Sequence, residues 1–174
     1  MFNVYNFAIY QLAWFAVILG AARGFAWLGA AMALLVTGVH LWLRREPLEF
    51  RLVGVSVLLG LVIDTTLAAT GQVQFASHGN LPMAPYWMLS LWVAFATTLN
   101  HSLLWLMRRP IVAAAAGAVF GPLAYLAGAK LGALSLPSPA VALPMLATAW
   151  CVAMGLFALV LRPAREPAAR RLPA

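Results

Sequence analysis

The chain predicts an all-α, polytopic membrane protein: six transmembrane helices in one bundle, with both termini in the cytoplasm. Three observations carry that reading. Of 174 residues, 64% are hydrophobic and only 9% charged, whereas a soluble domain is roughly half apolar and about a quarter charged. The apolar residues gather into six runs of about 20, the length a helix needs to cross about 30 Å of hydrocarbon. The basic residues fall between those runs, and they do so asymmetrically.

The first run spans 4–21; the segment before it carries no basic stretch like that of a signal peptide, so a retained first helix is expected. Arg23 and Gly24 separate it from the second, 25–43. A loop from Arg44 to Arg51 with Pro47 inside it precedes the third, 52–70, and places Glu46 and Glu49 outside the membrane. The longest break, Gly71 to Pro85, holds no Lys, Arg, Asp or Glu and leads to the fourth run, 86–107, whose opening Tyr86 and Trp87 fit an interfacial aromatic belt. Arg109 and Pro110 introduce the fifth, 111–131, and prolines 137 and 139 the sixth, 141–161. The runs are apolar on all sides and rich in Ala and Leu, so the two-residue alternation of a transmembrane β-barrel is missing. Residues 1–162 thus form the membrane domain, and 163–174, with three prolines and three arginines, are expected to be a basic disordered cytoplasmic tail.

With six crossings, the second–third loop, the fourth–fifth loop and both termini share a side, and they hold nine of the eleven Lys and Arg. Only Arg23 and Lys130 fall opposite. That bias places the termini inside. It also accounts for the net charge of +7, because the basic residues cluster at loops and do not form a nucleic-acid-binding stripe; a lipid bilayer, not nucleic acid, is the expected partner. Cys151 is the only cysteine, which excludes an intramolecular disulfide and a CxxC pair. No Walker loop, dinucleotide fingerprint or HExxH motif is present, so no cofactor is expected. His40, His78 and His101 lie on separate segments, and no metal site is expected from their spacing.

Polar residues inside the runs need a reason, since a charge at mid-bilayer costs at least about 2.5 kcal/mol. Asp64 is the one acid there, about 19 Å from Arg51 along the helix. Ser56, Gly60, Asp64 and Ala68 recur every four residues, a stripe of small side chains that turns the acid toward another helix. Thr97, Asn100 and His101 on the fourth run and Gln11 on the first complete a candidate catalytic or proton-conducting cluster with Asp64. Tyr86, Trp87, Trp92 and Tyr125 are candidates to line a groove for a lipid chain. Gly117, Gly121, Gly128 and Gly132 have the GxxxG spacing of close helix packing, within the bundle or across a homodimer, and Pro122 between them is expected to kink the fifth run.

Asn6, Gln11, Trp14-Phe15, Asp64, the stretch Pro85-Tyr86-Trp87 to Trp105 and Gly121-Pro122-Leu123-Ala124-Tyr125 together resemble the bacterial domain-of-unknown-function family 2878 of small inner-membrane proteins. The resemblance covers most of the chain and implies a multi-pass protein of the bacterial inner membrane. Genes of that family often accompany those of cyclopropane-fatty-acid synthase-like enzymes and of light or singlet-oxygen responses. It therefore implies a role in fatty-acyl modification of membrane lipid or in membrane stress protection, as enzyme or accessory subunit. A lipid or acyl chain would be the ligand, and a second copy or a membrane protein the partner. Two other functions fit the residues: a non-catalytic membrane scaffold, and a small proton-coupled transporter using Asp64.

Overall fold

The computed structural model describes residues 2–79 and 81–162; the basic tail expected over 163–174 lies outside them. Seven helices and two short strands follow in order: α1 (Phe2–Ala22), α2 (Ala26–Leu43), α3 (Pro47–Ala69), β1 (Gln74–Phe75), α4 (Tyr86–Leu99), α5 (Leu104–Met107), α6 (Pro110–Lys130), β2 (Leu134–Ser135) and α7 (Pro139–Val160). Five of them, α1, α2, α3, α6 and α7, are long and apolar enough to cross a membrane. Only 28–33% of each such span is buried, yet the exposed remainder is apolar: Leu12, Trp27, Leu35, Leu58, Val62, Ile111 and Phe120 all face outward. A surface of that kind is stable against hydrocarbon and not against water, so the protein is a multi-pass membrane protein.

Prolines at the first helical positions start α3, α6 and α7, where a missing N–H costs nothing because the first turn has no partner for it. Consequently α3 begins at Pro47 and not near Leu52, which brings Glu49 into its first turn with 2% of its surface exposed. Glu49 was expected in a loop; the proline makes it a helical residue.

The fourth run is not one helix, as expected, but two. α4 stops at Leu99, residues 100–103 form turns, and α5 adds a single turn. The amides of His101 and Leu103 both bond to the carbonyl of Thr98, which shifts the ladder and leaves Thr97 O and Ser102 N without helical partners. Asn6 of α1 takes both: its Nδ2 donates to Thr97 O at 3.1 Å, and its Oδ1 accepts from Ser102 N and, at 2.7 Å, from Ser102 Oγ. We expect Asn6→Ala to lower stability in mixed micelles by about 1–2 kcal/mol, since it deletes these bonds and orphans a backbone carbonyl. An unchanged unfolding curve would show that the break stands by itself.

Helices α1 and α2 pack as a hairpin, as do α6 and α7, while α4 lies among α1, α2 and α3. Gly29 permits the first hairpin, because a Cβ there would overlap the α1 backbone at Ala16 and Val17. Gly117 and Gly121 permit the second: a Cβ on either would run into Trp150 of α7. The Gly117–Gly121 spacing therefore serves packing inside the bundle. Gly128 is buried near Leu134, and Gly132, with φ of 86°, makes the turn into β2. α6 is helical throughout, Pro122 included.

Hydrogen bonds sort the helix ends. Asn6, His40, Glu49 and residues 97–102 meet at one end, near the basic loops. At the other end β1 pairs antiparallel with β2, Ser77 Oγ donates to Ala21 O, and Ala84 N donates to Thr65 Oγ1. Trp87 belongs to this second end and is wholly buried, its indole N–H donating to Ala76 O and its ring edge-on to Phe75. It is thus a packing residue against β1 and Ala76, whereas Tyr86 is exposed. Two-residue strands carry no periodicity, and the ribbon was not foreseen.

Candidate functional site

Two polar centres lie in the bundle, and both involve α3. The deeper one is built on Asp64, which has no exposed surface. Small residues one and two turns earlier, Gly60 and Ser56, let α4 come close: the Trp92 indole lies across Gly60, where a Cβ would overlap it, and Ser56 Oγ donates to Trp92 O at 2.6 Å. Held there, Trp92 Nε1 donates to Asp64 Oδ2 at 2.7 Å. The hydroxyl of Tyr125 on α6 donates to the other oxygen, Oδ1. One carboxyl group therefore ties α3 to α4 and α6.

Trp92 and Tyr125 also form part of a cleft. Tyr10, Trp14 and Ile18 of α1 with Met88, Leu91, Trp92 and Phe95 of α4 line one side; Ala124 and Tyr125 of α6, Leu134 of β2 and Trp150 of α7 line the other. Trp92 stacks on Trp150 at 4.6 Å with 14° between the planes, and Phe95 stands edge-on to Trp150. The slot is narrow, about 50 Å³, and its lining is mostly apolar. Tyr10, Trp14, Phe95 and Trp150 in its lining are half-buried, so the slot is not sealed within the bundle. Such a slot suits a methylene chain lying against aromatic faces, with the Asp64 carboxyl behind the wall.

The second centre lies about 22 Å along α3, at the basic end. Glu49 Oε1 accepts from Asn100 Nδ2 at 2.8 Å and lies 3.1 Å from His101 Nε2; Oε2 lies 3.1 Å from His40 Nε2. The two imidazoles are in edge contact, 4.9 Å between centroids. His40 closes the last turn of α2, Glu49 opens α3, and the break after Leu99 releases Asn100 and His101 from the helical ladder, free to turn to Glu49.

The predicted cluster of Asp64, Thr97, Asn100, His101 and Gln11 is therefore divided. Asp64 pairs with Trp92 and Tyr125, two residues expected to touch a lipid chain. Asn100 and His101 pair with Glu49. Thr97 bonds within its own helix to Ala94 O and lends its carbonyl to Asn6. Gln11 is half-buried on α1 and supplies none of the bonds that hold either centre. Sequence reasoning passed over Glu49, whose signal was Pro47 two residues before it, and Trp150, whose signal was the pair of glycines that make room for it. It also excluded metal ligation because the histidines are far apart in sequence; the fold brings His40 and His101 together, while His78 lies on the loop at the ribbon end.

Residues 3–156 match the model of a family described as "Protein of unknown function (DUF2878)". No curated protein and no solved structure matches the chain.

Proposed function

The chain belongs to the DUF2878 family of proteins of unknown function, and from that premise we propose that it acts on or alongside membrane lipid, holding an acyl or isoprenoid chain in the cleft between α1–α4 and α6–α7. The observation that carries this reading is the aromatic slot between the helices, with Trp92 and Tyr125 fixed by a buried carboxyl. Apolar walls select a hydrocarbon chain, and the two polar handles turned away from it toward Asp64 keep those walls rigid. The role is fatty-acyl modification or protection of the bilayer, as an enzyme or as an accessory subunit presenting the chain to a partner.

In this reading the protein makes six crossings of a bacterial inner membrane, α4 and α5 together forming the fourth, with both termini in the cytoplasm. The supporting facts are the shared end of Asn6, His40, Glu49 and His101, and the excess of Arg in the loops beside them.

The test is lipid analysis of a deletion strain complemented with wild type, Asp64→Asn or Ala124→Trp, with protein level checked in membranes, together with mass spectrometry of lipid that copurifies. Ala124→Trp fills the slot without touching Asp64. The expected result is a lipid species lost on deletion and not restored by Ala124→Trp, and a copurifying lipid that falls by about tenfold or more in that variant. Identical lipids in every strain and identical copurification would sink the proposal.

A further inference from the structure

We propose that His40, Glu49 and His101 form a binding site for one divalent first-row transition-metal ion at the basic end of the bundle. The inference does not rest on the lipid cleft: Glu49 lies about 22 Å along α3 from Asp64, the carboxyl behind the cleft wall, and none of the three ligands lines the cleft.

The donor set comes first. Two imidazole nitrogens and one carboxylate are the ligands of zinc and non-haem ferrous sites, and not of magnesium or calcium, which take oxygen alone. The ligand atoms of the three residues lie within 4.8 Å of one another. In a tetrahedral site with bonds of about 2.0–2.1 Å, ligand atoms stand roughly 3.3 Å apart, so small rotations of two rings bring the set into coordination distance. Both histidines already aim Nε2 at the carboxylate, from 3.1 Å each. An ion seated between them replaces the protons of those contacts and keeps every side chain near its present place.

Burial and support come next. His40 and Glu49 are 8% and 2% exposed, and each ligand stands on a separate piece of backbone fixed at a helix terminus. Asn100 Nδ2 holds Glu49 Oε1 at 2.8 Å, the kind of outer hydrogen bond that orients a ligating carboxylate. Phe2 covers His101 edge-on, and the Arg44 guanidinium lies 4.2 Å over the Phe2 ring. Three protein ligands leave at least one position for water or substrate, as in sites that perform chemistry. Arg44 at the rim favours an anionic occupant of that position.

The test is titration of the purified, chelator-treated protein in detergent with Co²⁺, read by its visible absorption, followed by displacement with Zn²⁺. Wild type is expected to bind one ion per chain. His101→Ala and Glu49→Gln are expected to weaken binding by about a hundredfold, Asn100→Ala by about tenfold, and His78→Ala not at all. X-ray absorption of the cobalt-loaded wild type reads the ligands with no substitution, so the proposal is decided even where a variant fails to fold; two imidazoles and a carboxylate are expected. Wild type that binds neither ion, affinity unchanged in both His101→Ala and Glu49→Gln, or a different ligand set overturns it. Each of these outcomes leaves the lipid assays unaffected.

Discussion

Asp64→Ala is expected to destabilise the protein by about 2–5 kcal/mol, while Asp64→Asn leaves it within about 1 kcal/mol of wild type. Truncation removes the acceptor for Trp92 Nε1 and for the Tyr125 hydroxyl, both buried where water does not reach. An average interhelical hydrogen bond in a membrane contributes only about 0.6 kcal/mol, so two lost bonds alone cost little. The larger effect is the pair of donors left unpaired, at about 1–3 kcal/mol each, in a bundle whose packing offers no substitute. Asparagine avoids that penalty for a specific reason. Its carbonyl accepts from the tryptophan, which can only donate, and its amide donates to the tyrosine oxygen, since a hydroxyl can reverse its role. The substitution therefore removes the carboxyl's ability to hold charge or exchange a proton while retaining both tethers. Unfolding in mixed micelles checks the ranking. Equal stability of Asp64→Ala and wild type would mean that Asp64 does not anchor the cleft wall, and lipid defects in Asp64→Asn at normal protein level would place chemistry, not packing, at this carboxyl.

The membrane spans were legible because each is decided locally: a run of about 20 apolar residues has few alternatives to a helix in hydrocarbon. What escaped the sequence was decided by contacts between distant residues. The break after Leu99 is sustained by Asn6, 91 positions from Thr97; the poor helix formers Thr97, Thr98, Asn100, His101 and Ser102 were weighed only as a polar cluster. Thr97, Asn100, His101 and Gln11 were the expected neighbours of Asp64, yet its partners are Trp92 and Tyr125. Polar groups were sought among polar residues, whereas tryptophan and tyrosine carry a polar tip on an apolar body and count as apolar in any pattern. Glu49 was misplaced for a different reason. Flanked by Glu46 and Arg51, it reads as loop by charge, and the stronger local signal, a proline at the first helical position, had been weighed only as a loop breaker. The two histidines share a centre because α2 and α3 meet in a tight turn and the α4 break lies beside it, a coincidence of three termini that no spacing rule expresses.

Glu49→Ala is expected to have an effect as large as Asp64→Ala, about 3–5 kcal/mol, and to act at the opposite end of α3. The carboxylate joins three elements, with His40 from α2 and Asn100 and His101 from the α4–α5 break all turned toward it. Removing one member of a buried, hydrogen-bonded set leaves the others desolvated with nothing to face, which is the expensive way to break it. Glu49→Gln retains an acceptor for Asn100, and its amide can donate to an imidazole nitrogen in the opposite tautomer, so a loss below half that of alanine follows. Asn100→Ala removes one of the bonds and costs about 1 kcal/mol. Measured with chelator present, this series reports the hydrogen-bonded cluster alone. Measured with Zn²⁺ in excess, wild type gains stability as RT ln(1 + [Zn]/Kd), about 2.7 kcal/mol at a hundred times Kd, while Glu49→Ala gains far less. The gap between the two proteins thus widens with zinc if the cluster ligates it and stays constant if it is only a clasp. A Glu49→Ala protein as stable as wild type in chelator would show that the ends of α2, α3 and α4 are held by packing, and that the three side chains are free to serve a ligand at no cost to the fold.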